Sequence, residues 1–284
     1  PPPLRSDFSD TDLLNYIKVI QEFNPRILSG YPLYLYLLAK YIQQNRILIP
    51  PVKGIDLTAG LSFPAMRQLI SEQFSAPVFQ SYGGCELGRV ASSCAQSAGR
   101  MHILEEQCYM EFIRSNGEPA QPRELANVIM TALNSYGMPF IRYEHGDVGE
   151  YFEEPCPCRR TARLMQVEGR LQDLIITAKG KAIPSRQILE LFLGHPGIKL
   201  FQLIQHAPDQ FDFNFVQDNP GRGINLSGIR DKFEIILGSD ADIRMQAVDY
   251  IRSASSGKYR LIRSSSFEPF RCVSDKKKPL GNFW

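Results

Sequence analysis

The sequence predicts an α/β fold in two units. A partial parallel-sheet domain carrying a β-rich subdomain comes first, and a small α/β carboxy-terminal domain follows. Three observations lead there. Between Ser9 and Gln80, helical apolar repeats alternate with short apolar runs, the β-α-β succession that builds parallel sheets. From Cys108 to Phe152 the pattern changes to strand-like runs broken by turn residues. Past Gly169 a new series of helix and strand patterns begins, so the boundary is placed between residues 1–168 and 169–284.

Ser9 suits a helix cap ahead of Leu13, Leu14, Ile17 and Ile20, which share one face. Pro32 suits the first turn of a second helix running to about Gln44, since a missing N–H costs nothing there. The run from Gly54 to Thr58 reads as a short strand ending at Ala59-Gly60. Pro64 opens a helix through Phe74, and the strand from Pro77 to Gln80 delivers Tyr82 and Glu86 at its carboxyl end, where ligands of parallel sheets sit. Tyr109–Arg114 and Asn127–Leu133 read as strands with Ser115-Asn116-Gly117 as a turn between them, and Val148–Phe152 as a further strand. In the second unit, Ser185 is expected to cap a helix through Phe192. Strands follow at Leu200–Gln205 and Phe211–Val216, then a helix from about Ser227 to Ile236 and a strand near Ile243–Val248. Pro220-Gly221-Arg222-Gly223 is a loop between these elements and not a phosphate-binding fingerprint.

Composition narrows the function. A length of 284 residues, 43% apolar, can bury a core without disulfide staples. The formal net charge of +2 argues against a nucleic-acid surface, and Lys276-Lys277-Lys278 reads as a solvated tail. Pro1-Pro2-Pro3 shows no amino-terminal signal pattern. Lys40 and Gln43-Gln44-Asn45 stop the apolar run from Leu33 to Leu38 well short of a membrane span. Six cysteines dispersed over a chain this long favour free thiols or metal over disulfides, and with them a cytoplasmic location.

Four short motifs recur in a telling order. They are Ser81-Tyr82-Gly83-Gly84-Cys85-Glu86-Leu87-Gly88, Arg142-Tyr143-Glu144-His145-Gly146-Asp147, Gly169-Arg170-Leu171-Gln172-Asp173 and Ser256-Gly257-Lys258. Each alone has a plainer explanation: a strand-end turn with an exposed acid, a surface Gly-Asp turn, a surface ion pair, a basic turn. In this order and spacing, from about Asn24 to about Ser265, the chain resembles the later part of the adenylate-forming ligases. The similar branch holds phenylacetate–CoA ligase and the capsule-biosynthesis proteins like it, and the strand Phe201–Gln205 also matches that branch.

The resemblance implies ATP, AMP and Mg²⁺ as cofactors, a carboxylic acid (aromatic acids included) as substrate, and CoA or an amine as acceptor. It implies that Glu86 helps hold Mg²⁺, that Tyr82 lies against adenine with Gly60 letting backbone approach the base, and that Asp147 takes the ribose hydroxyls. It further implies that Arg170 reaches the ribose, that Asp173 marks the hinge of a mobile carboxy-terminal lid, and that Lys258 neutralises charge at the carboxylate and α-phosphate. Ser-Gly-Lys is no P-loop, because the earlier glycine and the following hydroxyl are missing. Tyr31 and Phe63 are candidate walls of the acyl pocket.

Departures are visible. Cys85 stands where the family has Ser or Thr, Glu144 and His145 replace more usual residues, and the turn at Gly60 lacks an acid. The family's Ser/Thr/Gly-rich phosphate loop has no counterpart before Tyr82, so this chain alone is expected to bind AMP weakly and to turn over slowly or not at all.

A second constellation is Cys94, His102, Cys156 and Cys158. Three thiolates and an imidazole make a closed zinc set of structural type; Cys108 is the alternative to Cys94, and Cys272 is expected to be uninvolved. Buried free thiols are the plain alternative. Two functions therefore stand: a carboxylate-activating ligase, or a non-catalytic zinc-stabilised binding or assembly module derived from that fold. The oligomeric state, a homodimer included, is open.

Overall fold

The structure, a computed structural model, describes residues 9–218, 223–254 and 257–265. Pro1-Pro2-Pro3, most of the loop at Pro220, Ser256, Cys272 and Lys276-Lys277-Lys278 lie outside them.

The chain begins with α1 (Asp10–Phe23), capped reciprocally by Ser9 and Asp12, whose side chains each bond the other's backbone. Then come β1 (Ile27–Gly30), α2 (Pro32–Asn45), β2 (Gly54–Leu57), α3 (Pro64–Phe74) and β3 (Val78–Gly84). Pro32 and Pro64 both occupy first-turn positions, and Leu13, Ile17, Ile42, Met66 and Ile70 bury the inward faces of the three helices.

β1, β2 and β3 pair in parallel, as the alternation requires. The β-rich region does not stand apart from them: β3 joins the two. Its first half, through Gln80, pairs with β2, and from Ser81 onward it pairs antiparallel with β4 (Gly88–Ser93). Through β5 (Met101–Ile103), β6 (Cys108–Ile113), β7 (Ala126–Ala132), β8 (Tyr143–Phe152) and β9 (Leu164–Arg170) the sheet runs to nine strands in the order β1-β2-β3-β4-β5-β9-β8-β7-β6. Gly83 is obligatory at the change of partner, since a Cβ there would lie 1.9 Å from the Gly88 carbonyl oxygen.

After the short ladder of β10 (Ile175–Ile176) and β11 (Ala182–Ile183) comes α4 (Ser185–Phe192). The expected cap is displaced by one position: Pro184 caps α4 and Ser185 is its first helical residue, its hydroxyl donating to the Asp173 carbonyl at 3.3 Å. β12 (Ile198–Ala207), β13 (Gln210–Gln217), α5 (Leu226–Leu237), β14 (Asp242–Ala247) and β15 (Ile262–Ser264) complete a four-stranded sheet ordered β14-β13-β12-β15. Its core is aromatic. Phe192 stacks on Phe233 at 4.4 Å between centroids and meets Phe201 and Phe213 edge-on or tilted.

The smaller sheet does not hang free. Its apolar residues and those of α1, α2 and α3 form one continuous core cluster, and Lys40 on α2 pairs with Asp218 at 2.9 Å. Five cysteines among the described residues are free thiols. Among the described residues, no helix is long and apolar enough to cross a membrane.

Behind the sheet end, Arg186 of α4 donates to the Ser62 carbonyl at 2.9 Å and lies 3.7 Å from Glu168 of β9. Burial pushes the Glu168 carboxyl up to about 7, against the pull of Gln166 and Arg186. The folded chain therefore keeps a proton there between the usual 4.5 and about 7, where an unfolded chain has released it. Stability must fall as pH rises through that window. Glu168→Gln is expected to flatten this slope and to raise the unfolding free energy by roughly 1–3 kcal/mol at about pH 8. Denaturant unfolding at about pH 5 and about pH 8 measures it; an unchanged slope would contradict the assignment.

Candidate nucleotide site and metal centre

The centre of the site is Asp147. β8 and β9 pair so that Asp147 lies opposite Arg170, which places the carboxylate and the guanidinium side by side at the end of the ladder. Arg170 Nε meets Asp147 Oδ1 at 2.9 Å, and Arg170 Nη1 donates to the His145 carbonyl at 3.0 Å. Tyr82 of β3 donates its hydroxyl to Asp147 Oδ2 at 2.8 Å, and His145 Nδ1 lies 2.6 Å from the same oxygen. Gly146 between them takes φ +81, the left-handed conformation that lets both flanking side chains reach one point. Asp147 is buried, so these partners answer the cost of holding a carboxylate away from water. Burial, and then the Asp147 charge, push the Tyr82 hydroxyl well above its usual value, so it stays a donor.

Glu86 sits on the turn between β3 and β4. Its own backbone N–H is the largest influence lowering its carboxyl, and Tyr143 donates to it at 3.2 Å. His145 bridges the two acids, with Nε2 at 4.0 Å from Glu86 and the ring 6.3 Å from that of Tyr82. Cys85 is exposed beside it.

Asp147, Arg170 and Tyr82 line a cavity of about 470 Å³ that lies between the large sheet and the smaller unit. Gly60, Tyr31, Asp173 and Lys258 line it too. Lys258 Nζ stands 5.6 Å from the centre of the Tyr31 ring, a cation–π distance, and Tyr34 donates to the Gly257 carbonyl at 2.5 Å. Asp173 is buried and ion-paired with Arg260. Burial raises its carboxyl while Arg260 pulls the other way.

Of the residues the sequence singled out, Tyr82, Gly60, Asp147, Arg170, Asp173 and Lys258 thus converge on one cavity; Glu86 is not among its lining residues and is linked to it through His145, 4.0 Å away. Phe63 does not join them. It is buried in the core ahead of α3, where its ring packs instead of walling a pocket. Sequence reasoning missed His145 and Arg260. His145 had a signal, since it stands inside the motif at a position that departs from the pattern; Arg260 had none, because its partner lies 87 residues away.

Cys94, His102, Cys156 and Cys158 also converge: their ligand atoms all lie within 4.8 Å of one another. Cys94 Sγ is 3.6 Å from Cys156 Sγ, and Cys158 Sγ is 3.3 Å from His102 Nε2. Tetrahedral zinc with Zn–S of about 2.3 Å demands sulfur–sulfur distances of about 3.8 Å, so the donor set fits the ion closely. His102 Nδ1 faces the Ala162 carbonyl at 3.4 Å, which orients the ring. Burial opposes ionisation of Cys94, yet the Gln96 backbone N–H, His102 and the other two thiols bring it down to about 6. Cys108, the alternative ligand, points into the core, and burial raises its thiol to about 11.

With this geometry in hand, comparison with known proteins is informative. Residues 175–265 match the CapK C-terminal domain. The chain is 26% identical over 189 residues to phenylacetate-coenzyme A ligase of Thermus thermophilus, covering 64% of this chain and 42% of that protein. It is 23% identical over 258 residues to Protein CapK of Staphylococcus aureus, covering 88% and 55% respectively. The chain therefore spans about half the length of the curated relatives it matches. Its fold matches that of part of 2-hydroxyisobutyryl-CoA ligase. The postadenylation-state crystal structure of that enzyme, with R3-HIB-AMP, superposes at TM-score 0.75 and 18% identity, over 91% of this chain and 58% of that one. The same enzyme in its thioesterification state superposes at only 0.53, with 18% identity over 90% and 57%. Residues 175–265 thus match the CapK C-terminal domain, and the chain as a whole resembles the adenylate-forming ligases in the branch that holds phenylacetate–CoA ligase and CapK.

Proposed function

We propose that this chain serves an ATP-dependent carboxylate-activating ligase. It holds the nucleotide while a carboxylate oxygen attacks the α-phosphorus of ATP and pyrophosphate leaves; the acyl group of the resulting acyl-adenylate then passes to a thiol such as CoA or to an amine, and AMP leaves. The observation that carries this reading is the convergence on Asp147 of donors from β3, β8 and β9, in a cavity that also receives Lys258 from the smaller unit. The structural neighbour lends support: both of its states hold an acyl-adenylate, and this chain superposes better on the postadenylation state than on the thioesterification state.

Asp147 would take the ribose hydroxyls. A carboxylate has about four lone-pair sites, and Arg170, Tyr82 and His145 fill three. A ribose donating both hydroxyls must therefore displace one partner, and Tyr82, freed in this way, can lie against the adenine beside Gly60. Lys258, steadied on Tyr31, would offset negative charge as the two anions approach. Glu86 offers an exposed carboxylate with free oxygen sites, which suits Mg²⁺, a cation that takes one or two carboxylates and keeps waters and phosphates. Bound there, Mg²⁺ would supply charge neutralisation at the phosphates.

Asp147→Ala is expected to weaken AMP binding by about 10- to 100-fold, the value of a charge-assisted hydrogen bond set. Titration calorimetry of both proteins reads this, and equal affinity would sink the nucleotide assignment.

The second reading concerns zinc, and the four-ligand convergence favours it. A closed set with no open position is structural, tying the turn after β4 to the loop between β8 and β9. Elemental analysis of protein purified without chelator should find about one zinc per chain, lost with Cys158→Ser together with a fall in Tm. AMP affinity should change less than about threefold in that variant. Absence of zinc from the unaltered protein would leave three free thiols and an imidazole and end the proposal.

A further inference from the structure

Part of the cavity lining is apolar: Leu61, Met66, Met101, Val167 and Leu189. Gln80 lies among these side chains and is almost fully buried, at 4% exposure. Its orientation is set from outside the cavity. Arg67 Nη1 donates to Ser62 Oγ at 3.2 Å, and a guanidinium cannot accept, so the serine oxygen is the acceptor there. The serine proton is then free to go to Gln80 Oε1, 2.5 Å away. The opposite flip of the amide would set its NH₂ against an oxygen already accepting from Arg67. It would also place the amide carbonyl against the Met101 sulfur, two lone-pair atoms face to face.

The Arg67–Ser62 relay therefore turns the amide nitrogen away from Ser62. That nitrogen carries two hydrogens, and its recorded partner among the described residues is Met101 Sδ at 3.6 Å, a weak acceptor. A buried amide donor left with only a thioether costs free energy that a better acceptor would recover.

We infer that Gln80 determines specificity, its amide N–H donating to a neutral hydroxyl or carbonyl oxygen on an otherwise apolar acyl group. The inference rests on the ligase reading and narrows its substrate class to oxygenated apolar acids, hydroxy or oxo, in preference to plain hydrocarbon acids. The donor is uncharged, the cavity side chains beside it are apolar, and Arg67 is already engaged with Ser62, so a neutral oxygen suits the place better than a second carboxylate. A site that donates to a substrate oxygen also rejects the analogue lacking it, because the donor is then sealed off unpaired.

The test uses N-acylsulfamoyl adenosines, non-hydrolysable mimics of acyl-AMP, in matched sets. One set carries phenylacetyl and its ring-hydroxylated isomers; the other carries an unbranched acyl chain with a hydroxyl or oxo group moved along it. Affinities are measured by calorimetry with AMP as the reference ligand. At least one oxygenated member should bind about 10- to 100-fold more tightly than its parent. In Gln80→Met, of similar volume, the advantage should fall below about threefold with AMP affinity unchanged. Ser62→Ala, which frees the amide to turn, should also erode the advantage, and it decides the matter alone if Gln80→Met fails to fold. No preference for any oxygenated member, or a preference surviving in the folded variants, would overturn the inference. Failure of AMP and every analogue to bind would instead overturn the adenylate reading beneath it.

Discussion

Around Asp147 a buried carboxylate is held by three side chains that approach from β3, β8 and β9, and the rest of the site is arranged to let this happen. A carboxylate taken from water without partners would take up a proton or destabilise the fold. The β8–β9 ladder answers with Arg170 directly opposite in register, and the change of partner along β3 brings Tyr82 to the same place. Were β9 to slip by one residue, Arg170 would turn to the other face of the sheet and leave Asp147 without its cation. The register of this ladder is therefore an electrostatic requirement as well as a packing preference.

The cavity exists because two sheets meet at this point. The smaller unit packs its aromatic core into the cluster that covers α2, and Lys40–Asp218 ties the two at the far side. On the near side, Asp173–Arg260 and the Tyr34–Gly257 bond hold the segment bearing Lys258 over the cavity. These are polar, partly exposed links, of the kind that break at modest cost compared with the buried phenylalanines. The segment from Gly257 to Arg260 is accordingly the part of the smaller unit best placed to change partners without disturbing its core.

Support for the cavity also comes from behind. Arg67 and Arg186, from α3 and α4, both donate to the Ser62 carbonyl, which fixes the segment between β2 and α3. The Arg67 guanidinium lies against the turn at Gly99, where even a Cβ would come within 2.2 Å of it. That turn follows Cys94 and precedes His102, so the thiol–imidazole cluster and the cavity wall share one chain of contacts. Burial, and after it the nearby Arg186 charge, lower the Arg67 guanidinium, the expected result of packing two cations close together.

The sequence by itself determined the helices and most strand positions, because Pro32, Pro64 and the Ser9 cap are local signals and apolar periodicity records which face each element buries. It also singled out Asp147, Arg170 and Lys258, which lie in short motifs whose order is written along the chain and which the fold brings to one cavity, and the cysteines and histidine whose donor atoms the fold gathers. Tertiary structure alone decided that β3 serves both parallel and antiparallel neighbours, that Phe63 belongs to the core, and that Cys94, not Cys108, completes the cluster. It alone brought His145 between two acids, paired Arg260 with Asp173, and set Gln80 in the cavity lining. The reason is physical: partners such as Asp173 and Arg260, or Ser62 and Gln80, are distant or unpatterned in sequence. Their pairing follows from strand register and packing, which no local run of residues encodes.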